Sequence, residues 1–193
     1  MYYHLRKDRM AQGLYRPAYG EELLEDGDNW DFGQSFKGKV KQPIEVELKD
    51  TYGTELWDID LVSFDAPLMS ELLVNGLREA GVDNIDVYKA TLVDRKRRLR
   101  LDNYFAVNII GRLSAVDKQA SVAFDPKGVG HTMVQYRKLV LDEKKCLGQK
   151  LFRLHESVTT IVVNGDVKKA LSKLPLKYVE LAPLETTQKK VRR

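Results

Sequence analysis

The chain has 193 residues, of which 43% are hydrophobic and 31% are charged. This composition is typical of a folded soluble protein rather than a disordered chain, and the length allows one domain with a sizeable core. No run approaches the roughly 18 apolar residues of a membrane span, and the N-terminus lacks the apolar centre of a signal peptide. The single cysteine, Cys146, excludes an internal disulfide and suits a reducing compartment. We therefore expect a cytoplasmic protein with no membrane partner.

The net charge of +4 is unevenly distributed along the chain. Residues 21–31 contain no basic side chain and six acidic ones: Glu21, Glu22, Glu25, Asp26, Asp28 and Asp31. Residues 95–100 contain no acidic side chain and five basic ones: Arg95, Lys96, Arg97, Arg98 and Arg100. The C-terminal KKVRR adds four further basic residues. Such clusters either lie in solvent as ordinary loops or attract partners of opposite charge.

At the N-terminus, Tyr2 and Tyr3 indicate a first strand over residues 1–6. Residues 10–42 show no lasting hydrophobic period and are interrupted by glycine and proline, which predicts a long irregular segment with one short helical turn at 21–25. Loops of this length are usually functional or disordered. Trp30 and Phe32 argue against plain disorder, and they either fold back onto the core or contact a partner.

Two segments, 66–90 and 160–182, share one pattern of strand, capping residue, helix and strand. In each, apolar residues follow the capping residue after three, seven and ten positions, which is one face of a helix. The two sets are Ser70 with Leu73, Leu77 and Ala80, and Asn164 with Val167, Leu171 and Leu174. Neither set carries a catalytic group.

The other regular elements are predicted to be strands. Residues 43–49 and 57–61 alternate between apolar and polar side chains, and residues 104–110 (YFAVNII) are typical of a central strand. Further strands are expected at 121–124, 134–141 and 149–154, with a frayed basic tail after 183. We predict an α+β fold in which two helices pack on a mixed or mainly antiparallel sheet. Residues 1–193 would form a single domain, or alternatively two small subdomains around the two repeated segments.

The motifs of catalysis and metal binding are missing from the sequence. His4, His131 and His155 have no ligand at metal-binding spacing, one cysteine excludes CxxC zinc sites, and no nucleophile elbow or phosphate-binding loop is present. Lys144 and Lys145 would lower the pKa of Cys146, but the sequence offers no base for it. We therefore predict no metal, no cofactor and no catalytic residue. The alternative is an enzyme whose site is assembled from distant residues such as His131 or His155.

Five segments together resemble the eleventh family of bacterial immunity proteins. They are MYYHLR at the start, PLMSELLVNGLREAGVDN at 67–84, YFAVNIIGRLSAVDKQAS at 104–121, LFRLHES at 151–157 and IVVNGDVKKAL at 161–171. The resemblance implies a non-catalytic protein that binds and neutralises a cognate bacterial toxin in interbacterial competition. It further implies that a neighbouring gene encodes the toxin.

The acidic segment is the predicted toxin-binding site, because aromatic side chains next to carboxylates combine contact area with electrostatic steering. Its residues are Glu21, Glu22, Glu25, Asp26, Asp28, Trp30, Asp31 and Phe32. Replacing Asp28 and Asp31 by lysine is expected to slow association with the toxin and to leave the fold intact. The alternative function is a nucleic-acid-binding accessory protein that uses Arg95, Lys96, Arg97, Arg98, Arg100 and the basic tail.

Overall fold

The α+β class is confirmed by a computed structural model of the chain. It describes residues 1–8, 28–37, 40–47, 59–62, 66–95, 98–124 and 133–187, and the backbone alone of 15–19 and 48–50. Within these ranges lie 14 strands, numbered β1 to β14 in chain order, and the helices α1 and α2. The strands form two six-stranded sheets and one two-stranded hairpin, rather than the one sheet expected from the sequence.

The first sheet is mixed and contains both the first and the last strand of the chain. From edge to edge it consists of Val140–Asp142 (β11), Val179–Thr187 (β14), Tyr2–Lys7 (β1), Ile161–Asn164 (β13), Leu151–Leu154 (β12) and Arg112–Leu113 (β8). The pairs β11–β14 and β12–β8 are parallel, and the other neighbours are antiparallel. The pairing of β1 with β14 therefore ties the two ends of the described chain together in the middle of this sheet.

The second sheet is mainly antiparallel. It consists of Tyr15–Tyr19 (β2), Ile44–Asp50 (β3), Ile85–Asp94 (β6), Leu99–Ile109 (β7), Leu68–Ser70 (β5) and Leu61–Val62 (β4), with only β3 and β6 parallel. A separate antiparallel hairpin joins Val122–Ala123 (β9) to Tyr136–Lys138 (β10).

Each helix begins directly after a strand, at a residue whose side chain caps it. Helix α1 (Glu71–Glu79) follows β5, and the Ser70 hydroxyl accepts a hydrogen bond from the Leu73 N–H at 3.2 Å. Helix α2 (Gly165–Leu171) follows β13, and the Asn164 side chain accepts from the N–H groups of Asp166 and Val167 at 3.1 and 3.0 Å. These bonds satisfy backbone donors that the first helical turn leaves without partners.

The two helices pack against each other because α1 has a glycine at the point of contact. A Cβ atom at Gly76 would overlap the side-chain ends of Leu174 and Leu171, so a larger residue would force these leucines to move. The apolar faces predicted from the sequence meet here. Leu73, Leu77, Val167 and Leu171 share one buried cluster with side chains from both large sheets.

Asp60 joins the two helical segments from a buried position. Its backbone and side chain bond both to Ser70, the cap of α1, and to the backbone of Lys177, which precedes β14. A buried carboxylate is tolerated when donors surround it, as they do here. The link explains how two segments separated by some 80 residues reach a fixed relative position.

Two boundaries differ from the sequence expectations. Strand β2 lies within residues 10–42, which were expected to be irregular, and β14 extends to Thr187, beyond the expected start of a frayed tail at 183. Both strands are held by partners far away in the sequence: β2 by β3, and β14 by β1 and β11. Such long-range pairing leaves no local hydrophobic period from which it could be predicted.

Candidate partner-binding surfaces

Trp30 belongs to the core and is not an exposed contact residue. Its ring is buried and packs edge-on against Phe36 and Tyr88, with centroid distances of 4.7 and 5.8 Å. Of the two roles that the sequence left open for Trp30, packing onto the core is the one observed. The other predicted residues in the described part of the acidic segment are Asp28, Asp31 and Phe32; Glu21, Glu22, Glu25 and Asp26 lie outside the described residues.

Residues 28–36, here called the strap, carry a carboxylate that pairs with a buried arginine of the first sheet. Asp31 Oδ1 lies 3.0 Å from the nearest guanidinium nitrogen of Arg153, and the same nitrogen donates to the Val158 carbonyl at 2.6 Å. The Arg153 side chain is only 2% exposed. Burial lowers the pKa of Arg153, and the negative charge of Asp31 opposes this shift. Asp31 therefore holds the strap on β12.

The backbone of the strap is fixed on the other side of Asp31 as well. The Gly33 carbonyl accepts from the Gly111 N–H at 2.8 Å, the Gln34 carbonyl accepts from the Asn108 side-chain amide at 2.8 Å, and the Ser35 hydroxyl donates to Asp86 at 2.6 Å. Gly33 has a φ of +68°, and a Cβ there would lie 3.1 Å from Gly111 and Arg112. Only glycine fits this turn without strain.

Phe32 stands out from this fixed backbone. Its side chain is 48% exposed, although its neighbours Asp31 and Gly33 are both tied to the body of the protein. Asp28 lies near Tyr88, whose pKa is raised by burial and by the charges of Asp86 and Asp28. The strap therefore presents an aromatic side chain and a nearby carboxylate from a preordered segment.

The basic run, residues 95–100, faces carboxylates of its own sheet. Arg95 lies 3.3 Å from Glu45 and 3.9 Å from Glu47, and Arg100 lies 3.5 Å from Glu45 and 3.0 Å from Asp102. A hydrogen bond from Thr91, together with Arg100, holds the pKa of Asp102 below its usual value. Arg98 is exposed, and Lys96 and Arg97 lie outside the described residues. Two of the predicted nucleic-acid-binding cations thus already have counter-charges.

Next to this network, a shallow groove of about 500 Å³ runs along the second sheet. Its lining mixes both signs of charge with apolar surface: Glu71, Lys89, Arg100, Leu101, Asp102, Asn103 and Phe105. The groove therefore favours neither an anionic nor a cationic ligand.

The β9–β10 hairpin carries an exposed apolar surface that the sequence analysis missed. Phe124 is 63% exposed, and Val122 and Met133 are also exposed. The guanidinium of Arg137 lies 4.8 Å above the Phe124 ring. The sequence predicted a strand at residues 121–124, but no local signal shows that its outer face is left uncovered.

Burial favours the neutral forms of two side chains, the buried Cys146 and the partly buried His4. Burial, reinforced by Glu143 and Asp142, raises the pKa of Cys146 to about 11. The pKa lowering expected from Lys144 and Lys145 is therefore wrong. Burial and the charge of Arg6 lower the pKa of His4 to about 4. His155 is partly buried, and His131 lies outside the described residues.

No three histidine, cysteine, aspartate or glutamate side chains in the described part of the chain come together in a way that fits a metal ion. No helix in the same part is long and apolar enough to cross a membrane.

Residues 15–186 match the sequence model of the immunity protein family Imm11. The matched range includes the strap, both helices, the hairpin and all strands after β1. A comparison with curated proteins found no match.

Proposed function

The chain belongs to the Imm11 immunity protein family, and on this premise we propose that it neutralises a cognate bacterial toxin by binding it, without a catalytic step of its own. The observation that carries this function is the family match over residues 15–186. The toxin is the product of a neighbouring gene, and the complex forms in the cytoplasm, where an incoming toxin meets its targets.

We place toxin contact on the acidic segment, of which the structure describes residues 28–31 as part of the strap. Phe32 is an exposed aromatic side chain on a backbone fixed by the Asp31–Arg153 pair and by the bond from Gly111 to Gly33. Binding energy concentrates in such aromatic anchors, and an anchor that is already ordered loses little entropy on binding. Nuclease–immunity complexes reach Kd values of roughly 10⁻¹³ to 10⁻¹⁶ M, and preordered contacts favour such tight binding because they reduce the entropy lost on association.

The charge of this segment favours a toxin whose binding surface is basic. Glu21, Glu22, Glu25, Asp26 and Asp28 would accelerate encounter with cations around a nuclease-type active site. Asp31 has a different role, because its carboxylate is the counter-ion of the buried Arg153. Asp31→Lys would place two cations together in the interior. Asp28→Lys alone is therefore the appropriate test of electrostatic steering.

Nucleic-acid binding is the less favoured alternative. Phosphate contacts require cations that can exchange their counter-ions, whereas Arg95 and Arg100 are next to Glu45, Glu47 and Asp102. A nucleic acid would have to displace these carboxylates from the arginines, against the repulsion between its phosphates and the carboxylates. Among the described residues, the basic run therefore offers less positive charge than its sequence indicates.

The function is tested by expressing the neighbouring toxin gene in a susceptible host, alone and with this protein. Protection of growth together with co-elution of the two purified proteins is the expected result. Absence of protection and of a complex would contradict the function. Protection without a complex would contradict neutralisation by binding and would point to a catalytic mechanism.

A further inference from the structure

We propose that the β9–β10 hairpin is a second contact surface for the toxin, and that it receives an apolar patch of the toxin that contains a carboxylate. This inference rests on the proposed function and names a surface that the acidic segment does not include. Phe124, Val122 and Arg137 form its centre, and the exposed Met133 belongs to it as well.

The first argument is the composition of the surface. Three large apolar side chains, Val122, Phe124 and Met133, are exposed within one hairpin and the residues next to it. Single exposed apolar residues are ordinary, but groups of them mark interaction sites. Phenylalanine, methionine and arginine are also enriched at the centres of protein interfaces.

The second argument comes from the charges on the hairpin. Lys138 is paired with Glu185 at 2.9 Å. Arg137, its neighbour, stacks on Phe124 and has no ion-pair partner among the described residues. Stacking uses the flat face of a guanidinium and leaves its N–H edges available for a carboxylate. The charge that complements this surface is therefore negative.

The third argument is continuity with the strap. Met133 forms a β-bridge with Ser157, and the Val134 N–H donates to the Glu156 carbonyl at 2.9 Å. The next residue of this turn, Val158, accepts from Arg153, which also binds Asp31 of the strap. The hairpin bonds directly to this turn at residues 156–158, and the strap reaches the same turn through Arg153. We infer from this connection that one partner can contact both.

The two surfaces have opposite charge, and this sets the orientation of the partner. A toxin that presents cations to the strap and a carboxylate to Arg137 fits in one direction, and the reversed arrangement would bring like charges together. A symmetric dimer of this chain through the hairpin would instead place the Arg137 side chains of the two copies against the same surface. Because Arg137 has no ion-pair partner among the described residues, a toxin that supplies a carboxylate is favoured over a second copy that presents the same cation.

The test measures toxin affinity and kinetics for wild-type protein, Phe124→Ser and Arg137→Glu. The probe is the purified, catalytically inactivated product of the neighbouring toxin gene. Leu147→Asn is the matched control, because it also removes an exposed apolar side chain, which is 71% exposed. Leu147 lies before the start of β12, whereas the turn attached to the hairpin follows the other end of this strand. Melting temperatures of all variants verify that each is folded.

Phe124→Ser is expected to weaken binding about 30-fold, mainly through faster dissociation, as loss of an aromatic anchor does. Arg137→Glu is expected to weaken it about 10-fold or more, with the larger effect at low salt. Leu147→Asn should stay within about twofold of the wild type.

Three results would overturn the inference. Wild-type affinity of both hairpin variants would remove the hairpin from the interface and leave the proposed function standing. A wild-type dimer that Phe124→Ser dissociates without a change in toxin affinity would make the hairpin a self-association surface. Failure of the wild-type protein itself to bind the toxin would contradict the proposed function, and the hairpin surface with it.

Discussion

The acidic strap and the basic run are both clusters of like charge in the sequence, but their settings in the fold differ. In the strap, Trp30 is buried in the core and Asp31 pairs with the buried Arg153, so the backbone is fixed while Phe32 remains exposed. The basic run lies at the surface, where Arg95 and Arg100 meet carboxylates from β3 and β7. The contrast teaches that a charge cluster indicates a binding surface only after its counter-ions and its anchoring are known.

The largest expected effect on the free energy of unfolding distinguishes Trp30 from Phe32. Trp30→Ala should lower the free energy of unfolding by about 4 kcal/mol, because it empties a buried site between Phe36 and Tyr88. Phe32→Ser should change it by less than about 1 kcal/mol, since Phe32 is exposed. Urea denaturation measures both. If Trp30→Ala lowers the free energy of unfolding as little as Phe32→Ser does, Trp30 is not part of the core.

The buried ion pair gives the next largest effect. Asp31→Ala should cost about 3 kcal/mol of unfolding free energy, because it leaves the Arg153 charge buried without its carboxylate. The double variant Asp31→Ala with Arg153→Met should recover much of this loss, since it removes the buried charge as well. If the double variant is the less stable of the two, the pair does not hold the strap in the way described.

The pH dependence of the unfolding free energy tests a partly buried group, His4, that belongs to neither charged surface. The folded protein keeps His4 neutral, with a pKa of about 4, against 6.5 for an ordinary histidine. The contribution of His4 to the free energy of unfolding is fully present above pH 6.5 and is lost as the pH falls toward 4. In this range His4 takes up a proton in the unfolded chain but not in the folded protein. Between pH 7.5 and 5 the loss should be about 2 kcal/mol.

His4→Gln, measured by urea denaturation at several pH values, should remove most of this dependence. Arg6 and Glu180, which pair with each other at 2.8 Å, are the charged neighbours of His4 and remain in the variant. The same slope in variant and wild type would assign the pH dependence to other groups.

The smallest effect on stability concerns the basic run. Glu45→Gln with Glu47→Gln should change the unfolding free energy by less than about 1 kcal/mol, because exposed ion pairs contribute little. The same change should raise the affinity for double-stranded DNA at low salt, since it removes the carboxylates next to Arg95 and leaves Arg100 with Asp102 alone. Strong, steeply salt-dependent DNA binding by the wild-type protein would instead support the nucleic-acid alternative.

Local patterns in the sequence were sufficient for the helices and the strand-rich class. Ser70 and Asn164 cap the helices, and the apolar positions three and seven residues after each cap are buried as the helical period indicated, whereas those ten residues after it, Ala80 and Leu174, are partly buried. The division into two sheets was not predictable, because it depends on pairings such as β1 with β14 across nearly the whole chain. Residues close together in sequence carry no record of such contacts.

The candidate surfaces were predictable only in part. The sequence placed Phe32 and Asp28 in an acidic segment with aromatic residues, and their contact with a toxin stays a prediction. The partner of Asp31 lies 122 positions away, at Arg153. Of the carboxylates next to the basic run, Glu45 lies 50 residues before Arg95 in β3, whereas Asp102 lies only two residues after Arg100. The exposure of Phe124 depends on which elements leave the hairpin uncovered, which is a property of the whole fold.

The central claim is that this protein neutralises a toxin by binding it through the strap. Its most direct test is the Kd between the purified toxin of the neighbouring gene and wild-type protein or Phe32→Ser, measured by isothermal titration calorimetry. We expect tight wild-type binding, and for Phe32→Ser a Kd about 30-fold higher with an unchanged melting temperature. Equal Kd values for the two proteins, or no binding by the wild type, would contradict the claim.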